Sequence, residues 1–321
     1  MRRPAGYPAP KYSDPEDVRL TQIVRAAERA QKGGVNLLGV PFDGAVLGRK
    51  GAAGGPAAIR EAMSAFSNYN VELGLGLEEA GVFDLGDLSV DQGDTLAAHR
   101  EIEAEVAEDV DPDSLLVILG GDNSVSLPCI RAASKRLGKL GLVVIDSHFD
   151  LRGEIGGKPT SGSSYGLAVK TLTNLDPRRV VEVGIHGFLN SRRYYEKAEE
   201  LGVTVVTAAE VEKAGPEAVA QRAYEIASRG AEAVYLSVDL DAADLAYVSG
   251  VSAPSAGGIS SDHLFRLVYE VSRGDKVKCA DVVELAPTLD PSGRSARVAA
   301  TAVAYMIAGR VARRAGAAQG L

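Results

Sequence analysis

Residues 142–152 read Leu-Val-Val-Ile-Asp-Ser-His-Phe-Asp-Leu-Arg. The first four are apolar without alternation, so a strand built from them is buried on both faces. That pattern belongs to a parallel sheet covered by helices on each side, since a sheet with one wet face alternates apolar and polar residues. Similar runs recur outward along the chain: VNLLGV at 35–40, VFDLG at 82–86, LLVIL at 115–119, VVEVGI at 180–185, VTVV at 203–206, AVYLSV at 233–238 and VKCADVVEL at 277–285. Helix-like segments separate them. GPEAVAQRAYEIASRG places Pro216 in a first turn and Gly230 at the stop. SSDHLFRLVYEVSRG starts on capping serines and ends at Gly274. SDPEDVRLTQIVRAAERAQKGG, over 13–34, carries Pro15 and Gly33 in the same roles and predicts a further helix. Strand–helix alternation over the whole length predicts an α/β sandwich with a mainly parallel central sheet. No linker, repeat or composition shift divides the 321 residues, so a single domain over 1–321 is expected. Three prolines before Ser13 predict an extended amino-terminal arm, residues 1–15, lying on the surface or on a neighbouring subunit.

Charge and composition narrow the function. Thirty-five Lys+Arg against 43 Asp+Glu leave a net charge of −8. Such a chain repels phosphate backbones, so nucleic acid is not an expected partner. No stretch approaches the roughly 18 apolar residues of a membrane helix, so no membrane partner is expected either. The amino terminus lacks the apolar core of a signal peptide. Cys129 and Cys279 sit in apolar stretches and read as buried, reduced thiols. A cytoplasmic protein is expected.

In an open parallel sheet, ligands bind at the carboxyl ends of the strands. LLVIL is followed by Gly120-Gly121-Asp122-Asn123-Ser124, LVVI by Asp146-Ser147-His148-Phe149-Asp150, and AVYLSV by Asp239-Leu240-Asp241. Residues i, i+2 and i+4 of a strand share a side, which would bring Asp146, His148 and Asp150 together, and likewise Asp239 and Asp241. Crowded carboxylates repel one another unless a cation neutralises them. Asp146, Asp150, Asp239 and Asp241 carry a formal −4, which two divalent ions balance. Carboxylates with imidazole suit Mn2+ or a similar borderline-hard metal. A single Asp-x-His or Asp-x-Asp is commonplace in turns and solvated loops. Two such clusters, each directly after a buried strand, favour a metal site.

Taken in order, these segments resemble the ureohydrolases: arginase, agmatinase, guanidinobutyrase and formimidoylglutamase. The family pattern is Gly-Gly-Asp-His-Ser, then Asp-Ala-His-x-Asp, then Ser-x-Asp-x-Asp-x-x-Asp-Pro, similar here to residues 120–124, 146–150 and 237–244. Gly55-Pro56-Ala57-Ala58-Ile59-Arg60 and Val283-Glu284-Leu285 extend the likeness over roughly residues 35–310. Asp150-Leu151-Arg152, residues 284–290 and Ser295-Ala296-Arg297 look most like the formimidoylglutamase branch. The resemblance implies an arginase-like three-layer α/β/α sandwich, two Mn2+ ions per subunit and a homotrimer or homohexamer.

It also implies a reaction on a small amidine: N-formimidoyl-L-glutamate and water give L-glutamate and formamide. Asp146 and Asp239 would bridge the ions, His148 and Asp241 would complete one site, and Asn123 with Asp150 the other. A water with its pKa lowered by the ions would attack the amidine carbon. Asp150 would pass a proton to the leaving amine, and Glu284 would hold the amidinium. Arg152 would bind a substrate carboxylate, with Arg294 or Arg297 as a second donor.

Three departures from the family pattern stand out. Asn123 replaces a metal-binding histidine, which weakens one site or changes its occupancy. The loop from Asp244 to Ser252 has lost two prolines and is expected to be less rigid, or shaped for another substrate. Ser161-Gly162 replaces a substrate-side His-Gly and removes a proton shuttle. His186 follows a strand at the same end and serves either as a hydrogen-bonded loop residue or as compensation for Asn123. His99 and His263 read as solvated or structurally satisfied. Two alternatives remain: a guanidino substrate such as agmatine or guanidinobutyrate, and a metal-poor homologue without catalysis.

Overall fold

Each of the eight apolar runs forms a strand in the computed structural model, which describes residues 2–8 and 14–318. Among these residues the strands are β1 Arg2–Arg3, β2 Val24–Ala26, β3 Val35–Gly39, β4 Tyr69–Asn70, β5 Leu75–Gly76, β6 Val82–Leu88, β7 Leu115–Leu119, β8 Leu140–Ile145, β9 Leu175–Ile185, β10 Thr204–Thr207, β11 Ala233–Asp239 and β12 Val277–Val283. The α-helices are α1 Gly55–Met63, α2 Thr95–Ala107, α3 Ser126–Leu137, α4 Ser164–Thr171, α5 Arg192–Leu201, α6 Ala208–Ala214, α7 Pro216–Ser228, α8 Ser261–Ser272 and α9 Arg294–Ala318.

The main sheet runs β1-β6-β3-β7-β12-β11-β8-β9-β10, with β2 also on β6. Every pairing in it is parallel except β1 on β6. β4 and β5 form a separate antiparallel ribbon. Leu37, Val117, Val143, Leu236 and Val282 point to one face and are buried with residues of α1, α7, α8 and α9. Leu38, Leu116, Leu142, Val144 and Tyr235 point to the other and are buried with residues of α2, α3, α4 and α5. Cys129 and Cys279 lie in this second layer as buried free thiols. The architecture is the expected three-layer sandwich. Among the described residues, no helix is long and apolar enough to cross a membrane.

The helix expected over 13–34 does not form. Its described part makes a turn at Asp14, a 3-10 turn at Leu20–Gln22 and strand β2. Beyond Val24 the only apolar residues are Ala26, Ala27 and Ala30, so a helix there would have no stripe to bury. Leu20 is instead fully buried, its N–H bonded to the carbonyl of Phe66, and β2 joins the sheet edge.

The amino-terminal arm lies partly outside the described residues. Its residues 2–8 lie along the chain's own sheet edge: Arg2 pairs with Asp109 and Glu105, and the Tyr7 hydroxyl donates to Asp84. Asp84 also receives the buried Arg60 guanidinium through two bonds, at 2.8 and 2.9 Å, which ties α1 to β6.

β7, β12, β11 and β8 are consecutive neighbours at the centre of the sheet. Their carboxyl ends lead into Asn123, Glu284, Asp239 with Asp241, and the segment from Asp146 to Asp150. Four distant stretches of chain therefore open onto one spot.

Candidate metal centre

Asp146 follows the last residue of β8 and is fully buried. Its Oδ1 accepts the backbone N–H of His148 at 2.6 Å, while Asp239 Oδ1 accepts the N–H of Asp241 at 2.9 Å. These are Asx turns. They, rather than a continuing strand, fold residue i+2 back toward residue i. His148 Nδ1 lies 3.0 Å from Asp241 Oδ2 and 3.6 Å from Asp146 Oδ1. Asp241 also accepts the Ser147 hydroxyl at 2.7 Å. One ligand atom from each of Asp146, His148 and Asp241 lies within 4.8 Å of the other two.

Asn123 opens the turn after β7, and its side chain reaches the same cluster. Nδ2 donates to Asp150 Oδ2 at 2.6 Å and to Asp146 Oδ2 at 3.2 Å, and Oδ1 accepts the Tyr165 hydroxyl at 3.1 Å. The backbone N–H of Asn123 donates to Glu284 Oε1 at 2.7 Å. Glu284 Oε2 is buried without a hydrogen-bond partner among the described residues. Asp150 and Glu284 have φ of 45° and 70°, and no other non-glycine described residue has a positive φ. Such conformations cost about 1–3 kcal/mol each and cluster at functional sites.

The electrostatics favour a cation. Burial, then the charge of Asp241, push the Asp146 carboxyl up to about 7 against the pull of His148. Burial and neighbouring carboxylates hold Asp150 and Asp239 well above their ordinary range. Burial and Asp122 push Glu284 up to about 8. Burial opposes the charge on His148, but Asp241 and Asp146 outweigh it and raise the ring to about 12. Asp241 is the one carboxyl of the group held low despite burial, because His148 and Ser147 face it. One imidazolium cannot balance this many buried carboxyls. A donor set of carboxylate and amide oxygens with one imidazole fits a divalent ion such as Mn2+.

A cavity of about 170 Å³ opens onto the cluster and is lined by Asn123, His148, Asp150, Asp239, Asp241 and Glu284. Arg152 and Ser161 line it too. The Arg152 guanidinium lies 5.1 Å from the centre of the Tyr194 ring, a cation–π contact, and Ser161 Oγ accepts the Leu47 N–H at 3.1 Å.

His186 is not brought to this cavity. Its Nδ1 lies 2.7 Å from the carbonyl of Gly184, which folds the ring back onto its own strand end, and it lines a neighbouring cavity with Tyr195 and Thr207. It therefore does not compensate for Asn123. Arg297 also faces elsewhere: it lines a cavity with Glu61 and Pro291, and Arg294 is not part of the metal cavity's lining. His99 is buried, with Nε2 3.1 Å from Ser124 Oγ, and His263 pairs with Glu212 at 3.4 Å. Neither lines the cavity at the carboxylate cluster.

The loop from Asp244 to Ser252 is held in place without its prolines. Ser295 Oγ accepts the N–H groups of Ser249 and Gly250, and Arg49 donates to the carbonyls of Ser249, Val251 and Ser252. Val248 and Val251 are fully buried. The expected loss of rigidity is thus offset by hydrogen bonds and packing. Three contributors carry no motif in the sequence. Tyr194 and Tyr165 arrive from helices, and Asn190 braces the ligand segment by donating to the Ser147 carbonyl at 2.7 Å.

A three-layer sandwich with a buried carboxylate–imidazole cluster at the carboxyl ends of its central strands defines a metal-site α/β fold. The chain belongs to the arginase family, whose model matches residues 34–309. It is 36% identical to a formimidoylglutamase of Halobacterium salinarum over 313 residues, 94% of this chain and 96% of that one. The crystal structure of Bacillus subtilis formimidoylglutamase is similar with a TM-score of 0.86 and 26% identity, covering 93% of this chain and 94% of that one. A histidine-for-asparagine variant of Trypanosoma cruzi formiminoglutamase, determined with Mn2+, gives a TM-score of 0.84 at 26% identity, covering 92% and 98%.

Proposed function

We propose that the protein hydrolyses N-formimidoyl-L-glutamate to L-glutamate and formamide at a centre of two Mn2+ ions. The observation that carries this reading is the cavity itself. Beside the carboxylate cluster it holds Arg152, which is, apart from His148, the one cationic side chain among its described lining residues. A guanidinium fork suits a substrate carboxylate, whereas the distal ammonium of agmatine would need an acid on that wall.

Asp146, His148 and Asp241 would hold one ion tightly, and Asp150 and Asn123 would hold the other more weakly, with Asp146 and Asp239 shared. Bound there, the ions would act as Lewis acids and lower the pKa of a water in the cavity. Glu284 receives the amidinium N–H groups at Oε2, the atom left without a partner. Asp150 lies against the same spot and passes a proton to the leaving amine. Ser161 offers a hydroxyl beside Arg152 on the substrate side. The likeness to the family also supports a cytoplasmic homotrimer or homohexamer.

The guanidino reading shares the metal cluster and Glu284 and differs at the Arg152 wall. A panel of formimidoylglutamate, agmatine, guanidinobutyrate and arginine, assayed side by side with Mn2+, separates the two. Formimidoylglutamate is expected to turn over fastest. Preference for agmatine would overturn the assignment, and no turnover of any amidine by the metal-loaded protein would favour a non-catalytic homologue.

A further inference from the structure

Behind the metal centre, α4, β11 and β12 bury a row of polar side chains that the proposed chemistry does not use. Tyr165 Oη lies 3.1 Å from Asn123 Oδ1 and 3.0 Å from Ser237 Oγ, and Ser237 Oγ lies 2.6 Å from Asp281 Oδ1. Asp281 also accepts the Tyr235 hydroxyl at 2.8 Å and the Val238 N–H at 3.3 Å. Asn123 is 1% exposed and Tyr165, Ser237 and Asp281 are fully buried, so bulk water does not reach them and their contacts with one another set the proton directions.

Proton counting gives the row a direction. A carboxylate at Asp281 only accepts, and each hydroxyl has a single proton to give. Ser237 gives its proton to Asp281, and Ser126 Oγ, 3.5 Å from Ser237 Oγ, can then only donate to it, so across the Tyr165 contact Ser237 must accept. Tyr165 then has none left for Asn123 and must accept from it. The Asn123 atom that satisfies this is Nδ2, which leaves Oδ1 facing Asp146 and Asp150. In the structure the amide is turned the other way, with Nδ2 on the two carboxylates and Oδ1 on Tyr165. That orientation leaves no proton for the Tyr165–Ser237 contact. The two ends of an amide are alike in shape, so its partners choose between the orientations. A cation against Asp146 and Asp150 disfavours N–H dipoles there, and the buried row favours the same turn.

We propose that Tyr165, backed by Ser237 and Asp281, is a positioning residue that turns the Asn123 amide oxygen toward the metal centre. It makes a ligand of a side chain that would otherwise present N–H donors to the ions. This rests on the reading of Asn123 as a ligand. Partners behind a metal ligand fix its orientation, and their loss typically weakens metal binding about tenfold to a hundredfold.

The test is Mn2+ titration calorimetry on the intact protein, with electron paramagnetic resonance reporting the paired ions. Tyr165→Phe is expected to weaken only the weaker site, by about tenfold or more, and to replace the paired-ion spectrum by that of a single ion at limiting Mn2+. In an Asn123→Ala background the same substitution should change nothing further, because Tyr165 acts through Asn123. Ser237→Ala should reproduce this pattern and serves where Tyr165→Phe does not fold. Wild-type affinities in both hydroxyl variants, or equal weakening with and without Asn123, would overturn the positioning role. If Asn123→Ala itself leaves both affinities unchanged, the ligand reading falls and the positioning role with it. If Asn123→Ala weakens a site but the hydroxyl variants are silent, the positioning role alone falls.

Discussion

Asp150 and Glu284 share a left-handed backbone, at φ 45° and 70°, and both side chains meet Asn123, one at its side-chain amide and the other at its backbone N–H. Asn123 is thus the joint between two strained residues that stem from different strands. The residues that touch the reacting atoms in the proposed chemistry are the same ones whose conformation only the surrounding structure can hold.

Glu284→Gln keeps the size and backbone of the side chain and removes the anion. Turnover should fall by about a hundredfold or more, as for loss of a charge aimed at the reacting group. The thermal midpoint should barely move. Wild-type kinetics in a folded variant would remove Glu284 from the site.

Chelation followed by dialysis should abolish turnover, and Mn2+ should restore it. Asn123→His supplies imidazole where an amide stands, so Mn2+ affinity at the weaker site should rise. Calorimetry reads this directly. Unchanged affinity in the folded variant would mean that Asn123 points away from the ions.

Arg152→Ala should raise KM for formimidoylglutamate about tenfold or more, the worth of one charge-assisted hydrogen bond, with kcat little changed. KM for agmatine should not rise. A loss confined to kcat would place Arg152 in the chemical step instead of in substrate binding.

A Cβ on Gly121 would lie 1.7 Å from the carbonyl oxygen of Phe42, a backbone atom that cannot step aside. Gly121→Ala should therefore cost roughly 1–3 kcal/mol or more, the usual penalty of overpacking, and should weaken metal binding by displacing Asn123. Urea unfolding measures the first effect and Mn2+ titration the second.

Burial, with a smaller push from Arg131, lowers the His99 ring to about 4 from 6.5. The unfolded chain then binds a proton between these values that the folded chain refuses. Stability from the neutral ring is complete above pH 6.5 and declines as pH falls toward 4, by roughly 3 kcal/mol in all. His99→Gln lacks this titration. The stability gap between wild type and variant should narrow over that window and stay flat above it, as urea melts at a series of pH values would show.

The strands are legible because burial on both faces leaves an unbroken apolar run: LLVIL is β7 from its first residue to its last. The segment over 13–34 misleads because Pro15 and Gly33 punctuate a turn and a loop as readily as a helix. Beyond Val24 its only apolar residues are alanines, and the open edge of β6 takes Val24–Ala26 as a strand. Asp146, His148 and Asp241 are legible because each stands within three residues of a strand end. The Asx turns that bring them together are not, since alternation along a strand predicts the same neighbours for a different reason. His186 and Arg297 sit near the right end of the sheet but face other cavities, and position along a chain does not say which way a loop or first-turn side chain looks. Tyr165 and Tyr194 reach the site from helices, so no spacing relative to Asn123 or Arg152 announces them.

The order of the central strands has a thermodynamic consequence. Asn123, Asp146, Asp239 and Glu284 become neighbours only when β7, β8, β11 and β12 have paired, and these are long-range pairings that close slowly. The complete donor set exists only in the folded chain, so an ion that binds here favours the native state over the unfolded one. Saturation at a hundred times the dissociation constant would deepen the native well by about 2.7 kcal/mol. Resistance to heat and to proteases would then follow the free Mn2+ concentration, and chelation would lower both even in a solution free of substrate.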